Sequence, residues 1–147
     1  VGPGVIEVLA LQVDLRPAAL PAEPLGVIQG GRPPHVVAIE LREFLGKERQ
    51  FLLGLLENQN LLENEHFTDV LWAVFHLGDE LAHRVDIDAL PASDVRHLAG
   101  DMERAYGAMI SEWFEHLRHL KVRYPYLYSL AVRANPLDND RSVEVTD

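Results

Sequence analysis

The sequence predicts a mainly α protein: an antiparallel helical bundle of three amphipathic helices plus a short C-terminal helix, preceded by an irregular arm with a candidate strand. Three observations carry this reading. Apolar residues recur at three- and four-residue steps in three separate stretches between Val36 and Arg123. Short connections punctuated by proline and turn residues join those stretches, which makes neighbouring helices antiparallel. A length of 147 residues with 48% hydrophobic content suits one domain with a real core rather than a disordered chain.

Residues 1–34 read as an extended Pro/Gly-rich arm or linker, and 35–147 as the helical bundle domain with a polar C-terminal tail. Within the arm, Val5 to Leu15 is rich in β-branched and aliphatic residues and is a candidate strand. Arg16 to Pro34, with its PAALPAEP and GGRPP runs, reads as irregular. From Val36 the pattern turns helical. Val37, Leu41, Phe44, Leu45, Leu52, Leu55 and Leu56 form an apolar row, and Glu40, Arg42, Glu43, Lys47, Glu48 and Arg49 a solvated one. Asn58-Gln59-Asn60 marks the end, and Leu61 to Glu65 is a connection. A second helix is expected from about Phe67 to Arg84. Asp86 to Ala92 is a loop closed by Pro91.

The long helix, Ser93 to Arg123, follows. Val95, Ala99, Met102, Tyr106, Met109, Trp113 and Leu120 set a four–three seam on which His116 also falls. A second row at Leu98, Ala105, Ile110, Phe114 and Leu117 widens the stripe, so this helix is expected to sit between several others. Ser93 is the expected N-cap, with Asp94 and Asp101 near the positive end of the helix dipole. Arg118, Lys121 and Arg123 lie near the negative end, where cations are favoured, so this basic cluster is read as a dipole partner rather than a phosphate site. Pro125 stops the helix. A shorter helix spans about Tyr126 to Arg133, Asn135-Pro136 breaks it, and Leu137 to Asp147 is a polar tail.

The formal net charge of −10 excludes a nucleic-acid surface, because phosphate contact needs clustered Lys and Arg. The absence of cysteine excludes disulfides, thiolate metal sites and a cysteine nucleophile. No stretch reaches the roughly 18 apolar residues that a membrane span requires. Val5 to Leu15 is too short, carries Glu7 and Asp14, and has no basic residue ahead of it as a signal peptide would. Val1 in place of an initiator methionine implies a fragment or a processed chain.

The histidines are the candidates for chemistry. His76, Glu80 and His83 share one face of the second helix at i, i+4 and i+7. Glu80-Leu-Ala-His83 has the glutamate–histidine spacing of carboxylate-bridged di-metal bundles, and Glu63-Asn-Glu-His66 repeats it within a connection. Glu112 and His116 stand four apart on the long helix, as do Glu115 and His119. Such oxygen and imidazole ligands suit iron, manganese or zinc. Against this, Glu80 and His83 lie off the Phe67–Val74–Leu81 stripe, and helix surfaces carry many such pairs. The expectation is therefore no metal and no cofactor, with His76, Glu80, His83, Glu112 and His116 as the candidate ligands to check. Other enzyme templates fail: there is no phosphate-binding glycine loop, no nucleophile elbow, and the Asp138, Asp140, Ser142 alternation lacks the glycine of a calcium loop.

Three stretches resemble a known family. ENQNLLENEHFTDVLWAVFHLGDEL (Glu57 to Leu81), LPASDVRHLAGDMERAYG (Leu90 to Gly107) and HLKVRYPYLYSLAVRANPLD (His119 to Asp138) are similar to the soluble C-terminal region of prokaryotic two-transmembrane, potassium-channel-like proteins. Gln59 and Asn64 depart from the proline and histidine of that pattern, and Ala134, Leu137 and Asn139 depart in the tail motif. The resemblance covers roughly Val36 to Val145 and brings no catalytic residues with it. It implies a non-catalytic cytosolic assembly or regulatory domain on the inner face of a membrane. The domain itself would be soluble, would self-associate as a dimer or tetramer, and would belong to a longer parent protein that carries the pore. The alternatives are a metal-binding helical-bundle enzyme and a free-standing protein-interaction module.

Overall fold

The structure, a computed structural model, describes residues 34–138 and 141–145. The arm and its candidate strand lie outside the described residues. Among the described residues five helices follow one another: α1 Pro34–Leu56, α2 Gln59–Leu62, α3 Glu65–Ala82, α4 Ala92–Arg123 and α5 Pro125–Arg133. The mainly α bundle read from periodicity is the fold observed. Among the described residues no helix is long and apolar enough to cross a membrane.

Helix bounds follow local chemistry. Pro125 occupies the first turn of α5, where its missing N–H costs nothing. Two asparagines start helices where the sequence reading placed an end and a connection. Asn58 accepts from the Asn60 N–H at 3.1 Å and opens α2. Asn64 accepts from the Phe67 N–H at 3.2 Å and opens α3. Leu61 to Glu65 is thus partly helical rather than a plain connection. The cap expected at Ser93 is not made. The extended residue before α4 is Pro91, with no side-chain cap bond, and Ser93 lies inside the first turn. Asp94 lies in the first turn as expected, and Arg84 donates to both its oxygens.

The architecture departs from the sequence reading in which helix is central. α3 is the middle layer, packed against α1 on one side and α4 on the other. α4 meets its partners one after another along its length: α3 along its first part, α5 along its last. Its wide stripe is therefore only partly covered. Phe114 and Val122 remain 60% and 74% exposed.

The buried line of α4 is also rotated from the predicted seam. It runs Leu98, Asp101, Ala105, Met109, Glu112, Trp113 and Leu120, while Val95, Ala99, Met102 and Tyr106 are half-buried. An apolar-periodicity argument skips the two acidic members of that line by construction.

Two hydrophobic centres result. The larger joins α1, α3 and the first part of α4 around Leu41, Leu45, Phe67, Leu71, Leu81, Leu98 and Met109. The helices approach closely here, since a Cβ added to Gly78 would stand 3.5 Å from the Leu45 Cβ. Arg49 lays its guanidinium over the Phe75 ring at 4.7 Å and ties α1 to α3 from outside. The smaller centre holds Trp113, Leu120 and Ala131, with Leu117, Tyr128 and Leu137 against it.

Candidate functional site

α3 and α4 are antiparallel neighbours, so residues four apart on one face their counterparts in reverse order on the other. His76 and Glu80 stand one turn apart on α3, and His97 and Asp101 one turn apart on α4. His76 faces Asp101, with Nε2 to Oδ2 at 3.6 Å. Glu80 faces His97, with Oε2 to Nε2 at 3.5 Å. One turn further, Arg84 faces Asp94. The three pairs make a ladder of opposite groups between two helices.

Within the ladder the contacts cross. His97 Nε2 also approaches Asp101 Oδ2 to 3.4 Å, and His76 Nε2 approaches Glu80 Oε1 to 3.8 Å. One donor atom from each of His76, Glu80 and Asp101 lies within 4.8 Å of the other two. Asp101 is 2% exposed. Its Oδ1 accepts from Arg104 Nη1 at 2.6 Å, while Oδ2 is buried with no hydrogen bond. The two imidazoles are about half exposed and open to solvent.

Arg84 fixes the carboxylates. Its Nε and Nη2 donate to the two oxygens of Asp94 at 2.7 Å, and Nη1 donates to Glu80 Oε2 at 2.6 Å. That hydrogen bond holds the Glu80 carboxyl below its ordinary range, against the opposing effect of partial burial. The Asp94 carboxyl is lowered by the same guanidinium. Both carboxylates therefore stay ionised at neutral pH.

The structure brings His76 and Glu80 together and leaves the other sequence candidates apart. His83 is exposed beyond the end of α3, with its Nδ1 2.7 Å from the Asp79 carbonyl oxygen. Glu112 and His116 belong to the buried side of α4 further along. His97 and Asp101 were missed. The available signal was that His97-Leu-Ala-Gly-Asp101 repeats the His76-to-Glu80 spacing on the adjoining helix. Glu80 and His83 stand off the buried Phe67–Val74–Leu81 line as read, but Glu80 sits in the α3–α4 boundary rather than in open solvent.

Glu112 and His116 carry a different consequence. Burial pushes the Glu112 carboxyl up, with the charge of His66 opposing. Burial pushes the His116 imidazole down, with His119 adding to the shift, and His116 Nε2 has no hydrogen-bond partner. A raised carboxyl binds its proton more tightly folded than unfolded. Its cost is absent below the ordinary carboxylate range and complete above the raised value. For His116 the cost appears as pH falls below the ordinary imidazole range. Glu112→Gln is therefore expected to raise the thermal midpoint at about pH 7 and not at about pH 3.5, where wild type is already protonated. Thermal melts of both proteins across that range check it, and a gain equal at both ends would remove the ionisation argument.

Residues 34–133 match a family model described as the C-terminal helical domain of the uncharacterized protein MJ1433. The chain belongs to this family. A relative carrying that name, from Methanocaldococcus jannaschii, is 53% identical over 100 residues, covering 68% of this chain and 40% of the relative. The chain thus spans well under half the length of the curated relative it matches. No solved structure matches. The match to the MJ1433 C-terminal helical domain takes in α1 to α5, and with them the whole ladder.

Proposed function

We propose that this chain is a non-catalytic assembly domain of a longer protein, and that it joins a second copy of itself through α5. The observation that carries the reading is the outer flank of that helix. Tyr126, Leu127 and Leu130 share one side by helical spacing, and Tyr126 and Leu130 are 72% and 48% exposed. Large apolar groups in water on one flank favour burial against a partner, and identical chains most often close symmetrically. The greater length of the M. jannaschii relative supports placing the domain within a larger protein.

The net charge of −10 opposes association, most at low salt. Sedimentation velocity over a wide concentration range is then expected to show a dimer or tetramer that grows with concentration and with moderate salt. Leu130→Glu should remain monomeric. A wild-type chain that stays monomeric at the highest concentration in both salts sinks the assembly reading.

The finer reading makes the parent a two-transmembrane, potassium-channel-like protein with this domain on its cytoplasmic side. It rests on the similarity of the three quoted stretches alone, since neither the family description nor the relative's name contains an ion-transport term. The coding sequence ahead of Val1 tests it. Two apolar spans of about 20 residues flanking a filter segment would support it, and a parent without spans would reject it.

A further inference from the structure

We propose that His76, Glu80, His97 and Asp101 bind one divalent first-row transition-metal ion, of the zinc type, that clamps α3 to α4. The inference does not depend on the assembly reading, because the ladder uses no residue of α5.

The donor set comes first. Two imidazoles and two carboxylates, without thiolate, suit zinc and its neighbours in the series rather than calcium or magnesium, which prefer all-oxygen shells. Spacing comes second. With ion–ligand distances of about 2.0–2.1 Å, donors at the corners of a tetrahedron stand about 3.3–3.4 Å apart. His76 Nε2 stands 3.6 Å from Asp101 Oδ2 and 3.8 Å from Glu80 Oε1, the donors of these three residues all lie within 4.8 Å of one another, and His97 Nε2 stands 3.4 Å from Asp101 Oδ2. His97 stands beside that group of three and joins it by rotation of its half-exposed ring.

The third observation is independent of the cluster itself. Asp101 Oδ2 is buried and accepts no hydrogen bond, an arrangement that costs free energy unless something positive meets it. It points toward two imidazole nitrogens and lies in the same group of donors as Glu80. Each carboxylate already has one oxygen held by an arginine: Asp101 Oδ1 by Arg104, and Glu80 Oε2 by Arg84. Those bonds leave Oδ2 and Oε1 for the ion and orient them, as outer-shell partners of metal ligands do. The net charge supports a dication. Glu80, Asp101 and Asp94 against Arg84 and Arg104 leave one negative charge among the acidic and arginine side chains of the ladder. Four protein ligands leave no open position, so the ion is structural rather than catalytic.

The test uses the 147-residue chain, freed of any affinity tag and stripped with chelator, titrated with zinc chloride in a calorimeter. The expected result is saturable uptake of about one equivalent with a raised thermal midpoint. His76→Ala/His97→Ala changes two half-exposed side chains, so it should keep the wild-type circular dichroism spectrum. It should bind more than about 100-fold more weakly, above the 10- to 100-fold that loss of an outer-shell partner produces. His83→Ala, outside the ladder, should bind as wild type does. Absence of saturable uptake by wild type overturns the proposal. So does undiminished binding by the double variant, or an equal loss in His83→Ala.

Discussion

Trp113→Ala is expected to cost about 3–5 kcal/mol and to release α5 ahead of the rest of the domain. The indole is 2% exposed and is the largest member of the smaller hydrophobic centre. Its buried companions are only Leu120 and Ala131, and Leu117, Tyr128 and Leu137 against it are partly exposed. Removing the ring leaves a cavity that a nine-residue helix cannot refill. A domain of this size has about 5–15 kcal/mol in total, so the loss is a large share of it. Amide exchange should show protection vanishing in α5 and the last turns of α4, with α1 and α3 still protected. A chemical-denaturation midpoint equal to that of wild type would remove the argument that α4 holds two separate centres.

Phe67→Ala should cost a similar about 3–5 kcal/mol with the opposite distribution. Phe67 is fully buried in the first turns of α3, where α1 and α4 both close on the larger centre. Because α3 is the middle layer, its loosening frees both flanking helices together. Exchange protection is expected to fall throughout α1, α3 and the first part of α4 in one step. If Phe67→Ala instead frayed only α1, the layer order α1–α3–α4 would not be what holds the larger centre.

The helices themselves were legible because their faces repeat, and periodicity survives in any stretch long enough to count. α1, α3, α4 and α5 all begin and end within about two residues of the sequence reading. The two asparagine caps were visible as residue types but were read as a stop and a loop, because a cap and a break use the same residues. Partnering was not legible. The breadth of the apolar stripe on α4 says how much surface wants cover, and it does not say whether the partners stand around the helix or follow one another along it.

The same gap hid half of the site. Asp101 stands in the buried line of α4, and hydrophobic periodicity gives an acidic residue there no weight, so it was assigned to the helix dipole. His97 acquires meaning only once antiparallel packing sets it opposite Glu80. Of the sequence candidates, His76 and Glu80 stand together in the ladder. Their partners required the register between two helices, which no single helix encodes.

The sequential partnering of α4 fixes distances as well as stability. At about 1.5 Å per residue its 32 residues form a strut about 48 Å long. The chain enters α1 beside the start of that strut, where Arg42 reaches the Arg84 carbonyl oxygen at 2.9 Å. The flank of α5 lies at the other end. The start of α1 and the Tyr126–Leu130 flank of α5 are therefore held several nanometres apart by a single rigid element. Inserting or deleting one turn of α4 between Leu117 and Arg123 would disturb the smaller centre that seats α5 and leave the larger hydrophobic centre untouched.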